Sequence, residues 1–233
     1  ICGSDLHFVE TDERGYMLYP GLTRFPVVIR HEFSGEVVEI GREVRDLRPG
    51  DMVTCEEMIW CGECIPCRNS YPNQCERLEE IGFTINGAQA EYISVGAKYC
   101  WKINALAQVY GDVDRAYEAG AQCEPTSVSY NALFTRAGGF RPGGYVVVFG
   151  TGPIGFAAIA LARAAGAGRI IAFEVSPLRQ ELARKVGADD VFDPVALGRQ
   201  GTAPREVIMD LTQGQGADMH VEAAGAPAVT VPE

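Results

Sequence analysis

The chain has 233 residues, of which 47% are hydrophobic and 22% are charged, so it can bury a core and lacks the composition of a disordered protein. Its formal net charge of −11 argues against a nucleic acid or an anionic membrane surface as partner, because both attract clustered Lys and Arg. No apolar run approaches the roughly 20 residues of a membrane span, and no signal-type segment follows Ile1.

The first half of the chain alternates short β-rich segments with turns that contain Gly and Pro. Residues 37–40, VVEI, form a β-rich segment that ends at Gly41, and a turn at residues 48–51 leads into Met52–Cys55. Residues 90–95 alternate apolar and polar side chains with the period of a strand. We therefore predict three strands here, within an irregular, β-barrel-like domain.

Four of the eight cysteines lie within fifteen positions, in the segment CGECIPCRNSYPNQC. The spacing Cys-x2-Cys-x2-Cys-x7-Cys lets four thiolates face one ion, and zinc favours four ligands in a tetrahedron. Disulfides and an iron–sulfur cluster are the alternatives, but the segment lacks the Cys-Pro ending of the bacterial ferredoxin type. We predict a structural zinc ion bound by Cys61, Cys64, Cys67 and Cys75. Clustered, reduced thiols of this kind favour a cytoplasmic location.

After residue 125, segments with the periods of strands and helices alternate. Residues 145–149, 169–173, 190–192 and 219–223 predict strands. Residues 125–136, 154–165, 178–186 and 204–212 predict helices, the first with Pro near its start and Gly just past its end. Such alternation is typical of an α/β fold with a parallel, doubly wound sheet.

A glycine-rich loop follows the first strand of this half. Residues 150–155 read GTGPIG, the pattern G-x-G-x-x-G between a predicted strand and a predicted helix. Gly150 permits the tight turn, Gly152 lets the backbone approach a pyrophosphate, and Gly155 lets the helix pack on the strand. Pro153 and Ile154 open the helix, whose N-terminus favours phosphate charge.

Glu174 and Arg179 bear on the choice of cofactor. Glu174 lies 174 − 155 = 19 residues beyond the last glycine. A carboxylate there accepts hydrogen bonds from the adenosine ribose hydroxyls and repels a 2′-phosphate, so we predict NAD rather than NADP. Arg179 either stacks on adenine or recognises a phosphate, and both roles stay open.

Cys2, His31 and Glu32 are ambiguous taken singly, because a lone Cys or His is more often structural than catalytic. With the features above, however, the chain resembles the zinc-dependent medium-chain dehydrogenase/reductase family, which includes alcohol and polyol dehydrogenases. The resemblance rests on ICGSD at residues 1–5, HEFSG at 31–35, the four-cysteine segment, Glu124-Pro125 and GTGPIG. Residues 11–28, 55–67 and 123–132 are similar to a cyclitol-oxidising member.

The resemblance implies two domains. Residues 1–124 are expected to form part of a GroES-like, zinc-binding catalytic β-barrel domain, and residues 125–233 part of a Rossmann NAD-binding domain. The family's strands that precede Cys2, and the part of its fold that follows Glu233, are expected to lie outside this chain.

The resemblance also implies a second, catalytic zinc ion. Its implied ligands are Cys2 and His31, while Glu32 and Glu124 are each a direct ligand or a group that exchanges with water or substrate. Ser4 is implied to pass the alcohol proton toward the cofactor ribose, with His7 at the outer end of this relay. Zinc at such a site lowers the pKa of a bound alcohol, and the nicotinamide accepts the hydride.

Arg30 departs from the family pattern, which usually has Gly before the His-Glu pair. A left-handed backbone at this position would cost a non-Gly residue on the order of 1 kcal/mol. Otherwise, Arg30 reaches solvent or a substrate hydroxyl.

We predict an oxidoreductase that transfers hydride from a secondary alcohol of a polyol or cyclitol to NAD. Glu124-Pro125 favours this substrate class, since a polar pocket suits a multiply hydroxylated molecule. The alternatives are an L-threonine or other alcohol dehydrogenase of the same family, and a non-catalytic relative that binds zinc and nucleotide. The resemblance suggests that the protein acts as a homo-oligomer on a small-molecule substrate.

Overall fold

The computed structural model describes residues 2–225 and residue 230. The chain divides into two compact units, Ile1–Glu124 and Pro125–Glu233, and each is described by itself. In the described part of the chain, no helix is both long enough and apolar enough to cross a membrane.

The first unit contains two small antiparallel sheets. One has three strands, β1 (Ser34–Glu36), β2 (Met52–Cys55) and β5 (Cys100–Lys102), with β2 in the centre. The other pairs β3 (Met58–Ile59) with β4 (Glu79–Glu80). The helices are α1 (Gly3–Leu6), α2 (Ile65–Arg68), α3 (Asn104–Tyr110), α4 (Val113–Ala121) and the start of α5 (Cys123–Tyr130). Met52, Ile103 and Ala116 form a buried cluster that holds α3 and α4 against the larger sheet.

Of the three strands predicted in this unit, β2 is confirmed with the expected bounds. The strand predictions for residues 37–40 and 90–95 are wrong, because neither segment forms a ladder with a neighbour. Val37 still exchanges backbone hydrogen bonds with residues 50 and 51, but the chain then leaves the sheet. An apolar or alternating pattern indicates which side chains a strand can bury, but it does not determine whether a neighbouring strand is available for pairing.

Asp51 directly precedes β2, and neighbouring residues stabilise its negative charge. Its side chain is only 5% exposed, and Lys102 Nζ lies 2.9 Å from its Oδ2. The backbone N–H of Arg48 donates to the same oxygen at 3.0 Å. Lys102 and Arg48 outweigh burial and hold the pKa of Asp51 below its ordinary value. Because the pKa is lowered by folding, the ionised carboxylate stabilises the fold above the ordinary pKa of 3.8, and this stability is lost as pH falls through the lowered value.

We expect Asp51→Asn to lower the thermal midpoint of the protein near pH 7, and we expect the difference from wild type to shrink as the pH falls below about 3.8. Thermal melts across this range measure the effect. Asp46→Asn, on an exposed position just before the turn, is the control and should change the midpoint little at any pH. A difference between Asp51→Asn and wild type that stays constant with pH would contradict the assignment.

The second unit is a parallel sheet covered by helices. Its strands are β6 (Tyr145–Phe149), β7 (Arg169–Phe173), β8 (Asp190–Phe192) and β9 (Met219–Glu222), in the order β8-β7-β6-β9. The α5 helix continues as a π-helical turn over Asn131–Arg136, and α6 (Pro153–Ala164), α7 (Pro177–Val186), α8 (Pro194–Arg199) and α9 (Pro204–Leu211) follow. The predicted α/β fold with a doubly wound parallel sheet is confirmed.

The core of this unit lies on both faces of β6 and β7. Val146 and Val148 pack with Ala158 and Ile159 of α6 on one face. Val147 and Phe149 pack with Ile208 of α9 on the other. A strand buried on both faces reads as a continuous apolar run, as YVVVF does. This packing fixes the carboxyl end of β6, where the glycine-rich loop begins.

Candidate metal centres and dinucleotide site

The four-cysteine lobe has the geometry of a tetrahedral metal site. The Sγ atoms of Cys61, Cys64, Cys67 and Cys75 all lie within 4.8 Å of one another. Cys61 Sγ is 4.0 Å from Cys67 Sγ, and Cys64 Sγ is 3.9 Å from Cys75 Sγ. Four sulfurs placed about 2.3 Å from one zinc ion would be about 3.8 Å apart. All four cysteines are free thiols, so this geometry fits a single zinc ion and not disulfides.

Local structure brings these four thiols together. Cys64 caps the short helix α2, with Pro66 in its first turn, and a 3-10 turn at Pro72–Gln74 delivers Cys75. Cys61 Sγ accepts hydrogen bonds from the backbone N–H groups of Glu63 and Cys64, which lower the pKa of this thiol to about 6. Desolvation raises the pKa of Cys67 to about 12. A cation at the centre would offset this cost of ionising Cys67.

Cys2 and His31 meet near the N-terminus of α1. Cys2 caps α1, and its backbone N–H donates to Asp5 Oδ2 at 2.9 Å. His31 is only 4% exposed, and its Nδ1 atom makes no hydrogen bond to any residue that the structure describes. The neighbouring His31 lowers the pKa of the Cys2 thiol. Burial opposes protonation of His31, but Cys2 and Glu124 outweigh it and raise its pKa.

Glu32 and Glu124 lie in the electrostatic surroundings of this pair. Burial, together with the charge of Glu32, raises the pKa of Glu124, whereas His31 opposes this shift. Within residues 2–225, however, only the four-cysteine lobe brings three or more possible ligand atoms within 4.8 Å of one another. Therefore, no three possible ligand atoms from Cys2, His31, Glu32 and Glu124 lie within 4.8 Å of one another. A thiol, an imidazole with a buried, unbonded nitrogen and two mutually repelling carboxyls are nevertheless donors that a zinc ion suits.

Ser4 and His7, the two residues of the expected proton relay, lie in different surroundings. Ser4 lies in α1, beside Cys2, and contributes to lowering the pKa of that thiol. His7 lies on the surface, with its Nδ1 atom 2.8 Å from Glu10 Oε2. The relay itself stays a prediction.

Arg30 has the left-handed backbone that its position requires, with φ +82°. A Cβ atom on Gly82 would lie 2.8 Å from the Arg30 backbone nitrogen, so the segment around residue 82 packs directly on Arg30. The Arg30 Nε donates to Gln89 Oε1 at 2.8 Å. This hydrogen bond gives the guanidinium a partner inside the first unit, and the backbone strain is on the order of 1 kcal/mol.

The sequence did not predict a role for three residues around His31, namely Tyr19, Glu57 and Glu80. Burial and the charge of Glu80 raise the pKa of Glu57 to about 7, whereas His31 opposes this shift. Burial and the charges of Glu80 and Glu57 raise the pKa of Tyr19 to about 12. The available signal was the acidic pair Glu56-Glu57 directly after the buried strand β2. Tyr19 and Glu80 lie in loop-rich segments that carry no such signal.

The glycine-rich loop has the geometry expected of a phosphate-binding turn. Gly150 has φ +83°, and Gly152 caps α6, with open space where a Cβ atom would point. A Cβ atom on Gly155 would fall on the carbonyl oxygen of Gly150. Pro153 is the first residue of α6, and the carbonyl of Ile154 accepts a hydrogen bond from Ser129 Oγ at 2.8 Å.

A cavity of about 670 Å³ opens beside this loop. Gly150, Gly152, Glu174 and Arg179 line it, together with the rings of Phe149 and Phe173. Pro153, Ile154 and Gly155 are not among its lining residues, and their contribution is to start α6 and to pack it on β6. The volume and the largely apolar walls are those of a small-molecule or cofactor site.

Glu174 is a structured acceptor at the edge of this cavity. It is 5% exposed, and its Oε2 accepts hydrogen bonds from Thr151 N at 2.8 Å and Thr151 Oγ1 at 3.0 Å. Its Oε1 accepts from Ser176 N at 2.9 Å. Burial opposes ionisation, but these hydrogen bonds hold the pKa of Glu174 below its ordinary value. Because each carboxylate oxygen has two lone pairs, Oε1 keeps one acceptor position for a ligand hydroxyl.

Comparisons with known proteins agree with this geometry. The alcohol dehydrogenase GroES-like domain family matches residues 1–105, and the zinc-binding dehydrogenase family matches residues 153–231. A scyllo-inosose 3-dehydrogenase of Thermotoga maritima is 49% identical over 100% of the chain and 59% of that relative. The chain belongs to the zinc-dependent medium-chain dehydrogenase family. The resemblance predicted from the sequence, both to this family and to a cyclitol-oxidising member, is confirmed.

Other members of the medium-chain dehydrogenase family match along nearly the same length. An L-threonine 3-dehydrogenase of Thermococcus kodakarensis is 36% identical over 97% of the chain and 59% of that relative. A solved structure described as an alcohol dehydrogenase of Thermotoga maritima superposes with a TM-score of 0.93, at 49% identity over 100% of the chain and 59% of that structure. The chain thus spans 59% of the length of the relatives named here.

Proposed function

We propose that the protein is a zinc-dependent dehydrogenase that oxidises a secondary alcohol of a polyol or cyclitol with NAD. The observation that carries the proposal is the pairing of the half-buried Cys2 with the buried His31, close to the carboxyls of Glu32, Glu57 and Glu124. The chain that carries this pair is 49% identical to a scyllo-inosose 3-dehydrogenase. Residues 1–124 are proposed as the catalytic zinc-binding domain and residues 125–233 as the NAD-binding domain.

Each part of the chain has a proposed role. Cys2 and His31, with Glu32 or Glu124, would hold a catalytic zinc ion. That ion would supply a Lewis acid for the alcohol oxygen, and NAD would supply the hydride acceptor. Ser4 would pass the proton of the alcohol hydroxyl toward the cofactor ribose, and His7, at the outer end of the relay, would release it to solvent. The four-cysteine lobe would hold a structural zinc ion with no part in the chemistry.

The dinucleotide site supports NAD over NADP. Glu174 is ionised and fixed at the cavity edge by Thr151 and Ser176. A 2′-phosphate would bring further negative charge to this carboxylate, whereas ribose hydroxyls can donate to it. Arg179 lines the same cavity and would stack on adenine.

Two competing functions have support of their own. The L-threonine 3-dehydrogenase of Thermococcus kodakarensis is 36% identical to this chain, which keeps an amino alcohol as an alternative substrate. A non-catalytic relative would retain the four-cysteine lobe and the dinucleotide cavity without a metal at Cys2 and His31. The proposal also includes a homo-oligomeric assembly and a cytoplasmic location, the latter because all eight cysteines are free thiols.

Metal analysis and a substrate panel test the proposal on the intact protein. We expect two zinc ions per chain, and NADH formation with cyclitols or sugar alcohols that exceeds formation with threonine. NADP should replace NAD poorly. One zinc ion per chain with no activity on any alcohol would favour the non-catalytic relative, and activity on threonine alone would refute the polyol assignment.

A further inference from the structure

Three aromatic rings lie beside the candidate catalytic residues of the first unit. The His31 imidazole lies against Phe83, with ring centroids 5.0 Å apart. Tyr19 stacks on Phe83, with centroids 4.7 Å apart and planes inclined by 20°. Phe83 is buried, so these contacts hold Tyr19 and His31 in fixed positions on the same ring.

The backbone around β3 and β4 brings Glu57 and Glu80 to the segment that carries Phe83. Ile81 N donates to the carbonyl of Glu57 at 3.1 Å, and Glu80 is paired with Met58 across the ladder. The carbonyl of Glu80 accepts from the N–H groups of the tight turn at residues 83–85, so Glu80 directly precedes the segment that carries Phe83. Glu57 and Glu80 are both half-buried, and both influence the ionisation of Tyr19.

Among the residues that the structure describes, His31 is a basic side chain whose charge acts on both carboxyls. Glu57 is influenced by Glu80, Glu124 and His31, and Glu80 by Glu79 and His31. No ion pair found between described residues includes Glu57 or Glu80. Removing a carboxyl from water without a partner is unfavourable unless hydrogen bonds replace the lost hydration. A ligand with several hydroxyl groups supplies such hydrogen bonds.

We propose that Glu57 and Glu80, together with Tyr19, bind the hydroxyl groups of a polyhydroxylated substrate that lie away from the reacting carbon. The inference rests on the proposed function and identifies the residues that select its substrate class. His31, whose Nδ1 is buried without a hydrogen bond, marks the adjoining metal position. A neutral polyol can donate hydrogen bonds to the carboxyls from several hydroxyl groups at once. A simple alcohol has a single hydroxyl group, which would bind the metal.

Inositol and cyclohexanol form a suitable substrate pair, because they share the six-membered ring and differ in the number of hydroxyls. We expect Glu57→Gln and Glu80→Gln to raise the KM for inositol about 10-fold or more, because hydrogen bonds to charged groups are among the stronger ones. The KM for cyclohexanol should stay unchanged or fall, and kcat should change less than KM.

Glu56→Gln is the matched control, since it makes the same substitution at the neighbouring residue. The Glu56 carboxylate accepts from Trp60 Nε1 at 2.8 Å and Trp101 Nε1 at 3.0 Å, so it serves the local packing. This variant should leave the KM for inositol unchanged. An equal effect of Glu57→Gln on both alcohols, or no effect on either, would overturn the inference.

Direct binding keeps this test separate from the test of catalysis. Calorimetric titration with inositol does not require turnover, and circular dichroism verifies that each variant is folded. If the wild-type protein binds inositol without oxidising it, the proposed function fails, while weaker binding by Glu57→Gln still supports the inference. Undiminished binding by both folded variants, or no binding by wild type, overturns the inference.

Discussion

Replacing Cys67 with Ser is expected to remove one zinc ion per chain and to unfold the segment from Cys61 to Cys75. The four thiols lie within 4.8 Å of one another, and this segment has only the short α2 helix and one 3-10 turn as regular structure. Apparent binding free energies of structural zinc are about 10–16 kcal/mol, so losing a ligand should cost several kcal/mol, on the order of 3 or more. Zinc content and the thermal midpoint measure the result.

Cys123→Ser is the control for this experiment. Cys123 is half-buried, and its thiol donates to the carbonyl of Ala119 at 3.9 Å, a bond that a serine hydroxyl can replace. This variant should retain both the zinc content and the thermal midpoint of wild type. A folded Cys67→Ser protein with undiminished zinc would contradict the assignment of the lobe.

The lobe could be read from the sequence because its ligands are close along the chain. Spacing alone restricts where neighbouring thiols can point, and the structure adds only the 3.9 and 4.0 Å sulfur separations. The group around His31 is different, because Tyr19, Glu57 and Glu80 come from three separated segments. Their proximity depends on the Phe83 stack and the β3–β4 ladder, which are tertiary contacts that no local pattern predicts.

The same difference between local sequence patterns and tertiary contacts explains which strand predictions were correct. The bounds of β6 and β7 agree with the sequence prediction, because a run buried on both faces in a parallel sheet has an unambiguous composition. The bounds of β8 also agree, although only Val191 of this strand is buried. Residues 37–40 are also mostly apolar but lie where the three-stranded sheet of the first unit ends. Five helices, α1, α2, α3, α4 and α8, were also missed. In α4, Asp112 caps the helix through hydrogen bonds from Asp114 N and Arg115 N. That capping signal was present in the sequence.

Two glycines of the glycine-rich loop at residues 150–155 are expected to respond differently to substitution by Ala: one variant should lose stability, and the other should lose cofactor affinity. A Cβ atom on Gly155 would fall on the Gly150 carbonyl oxygen and lie 3.0 Å from its carbonyl carbon. Backbone cannot move aside as a flexible side chain can, so Gly155→Ala should destabilise the second unit by about 3 kcal/mol. Gly152 has φ −75°, and nothing lies within 4 Å of its Cβ position. Gly152→Ala should therefore fold normally.

Gly152→Ala tests the cofactor site independently of stability. Gly152 lines the cavity and caps α6, where the backbone would approach the pyrophosphate. The added methyl group would project into that approach, so NAD affinity should fall at least 10-fold while the thermal midpoint stays near that of wild type. Fluorescence titration with NADH and thermal melts on both variants separate the two effects. Unchanged NADH affinity in a folded Gly152→Ala protein would show that the pyrophosphate does not approach this turn, whereas a stable Gly155→Ala protein would show that α6 can shift on β6.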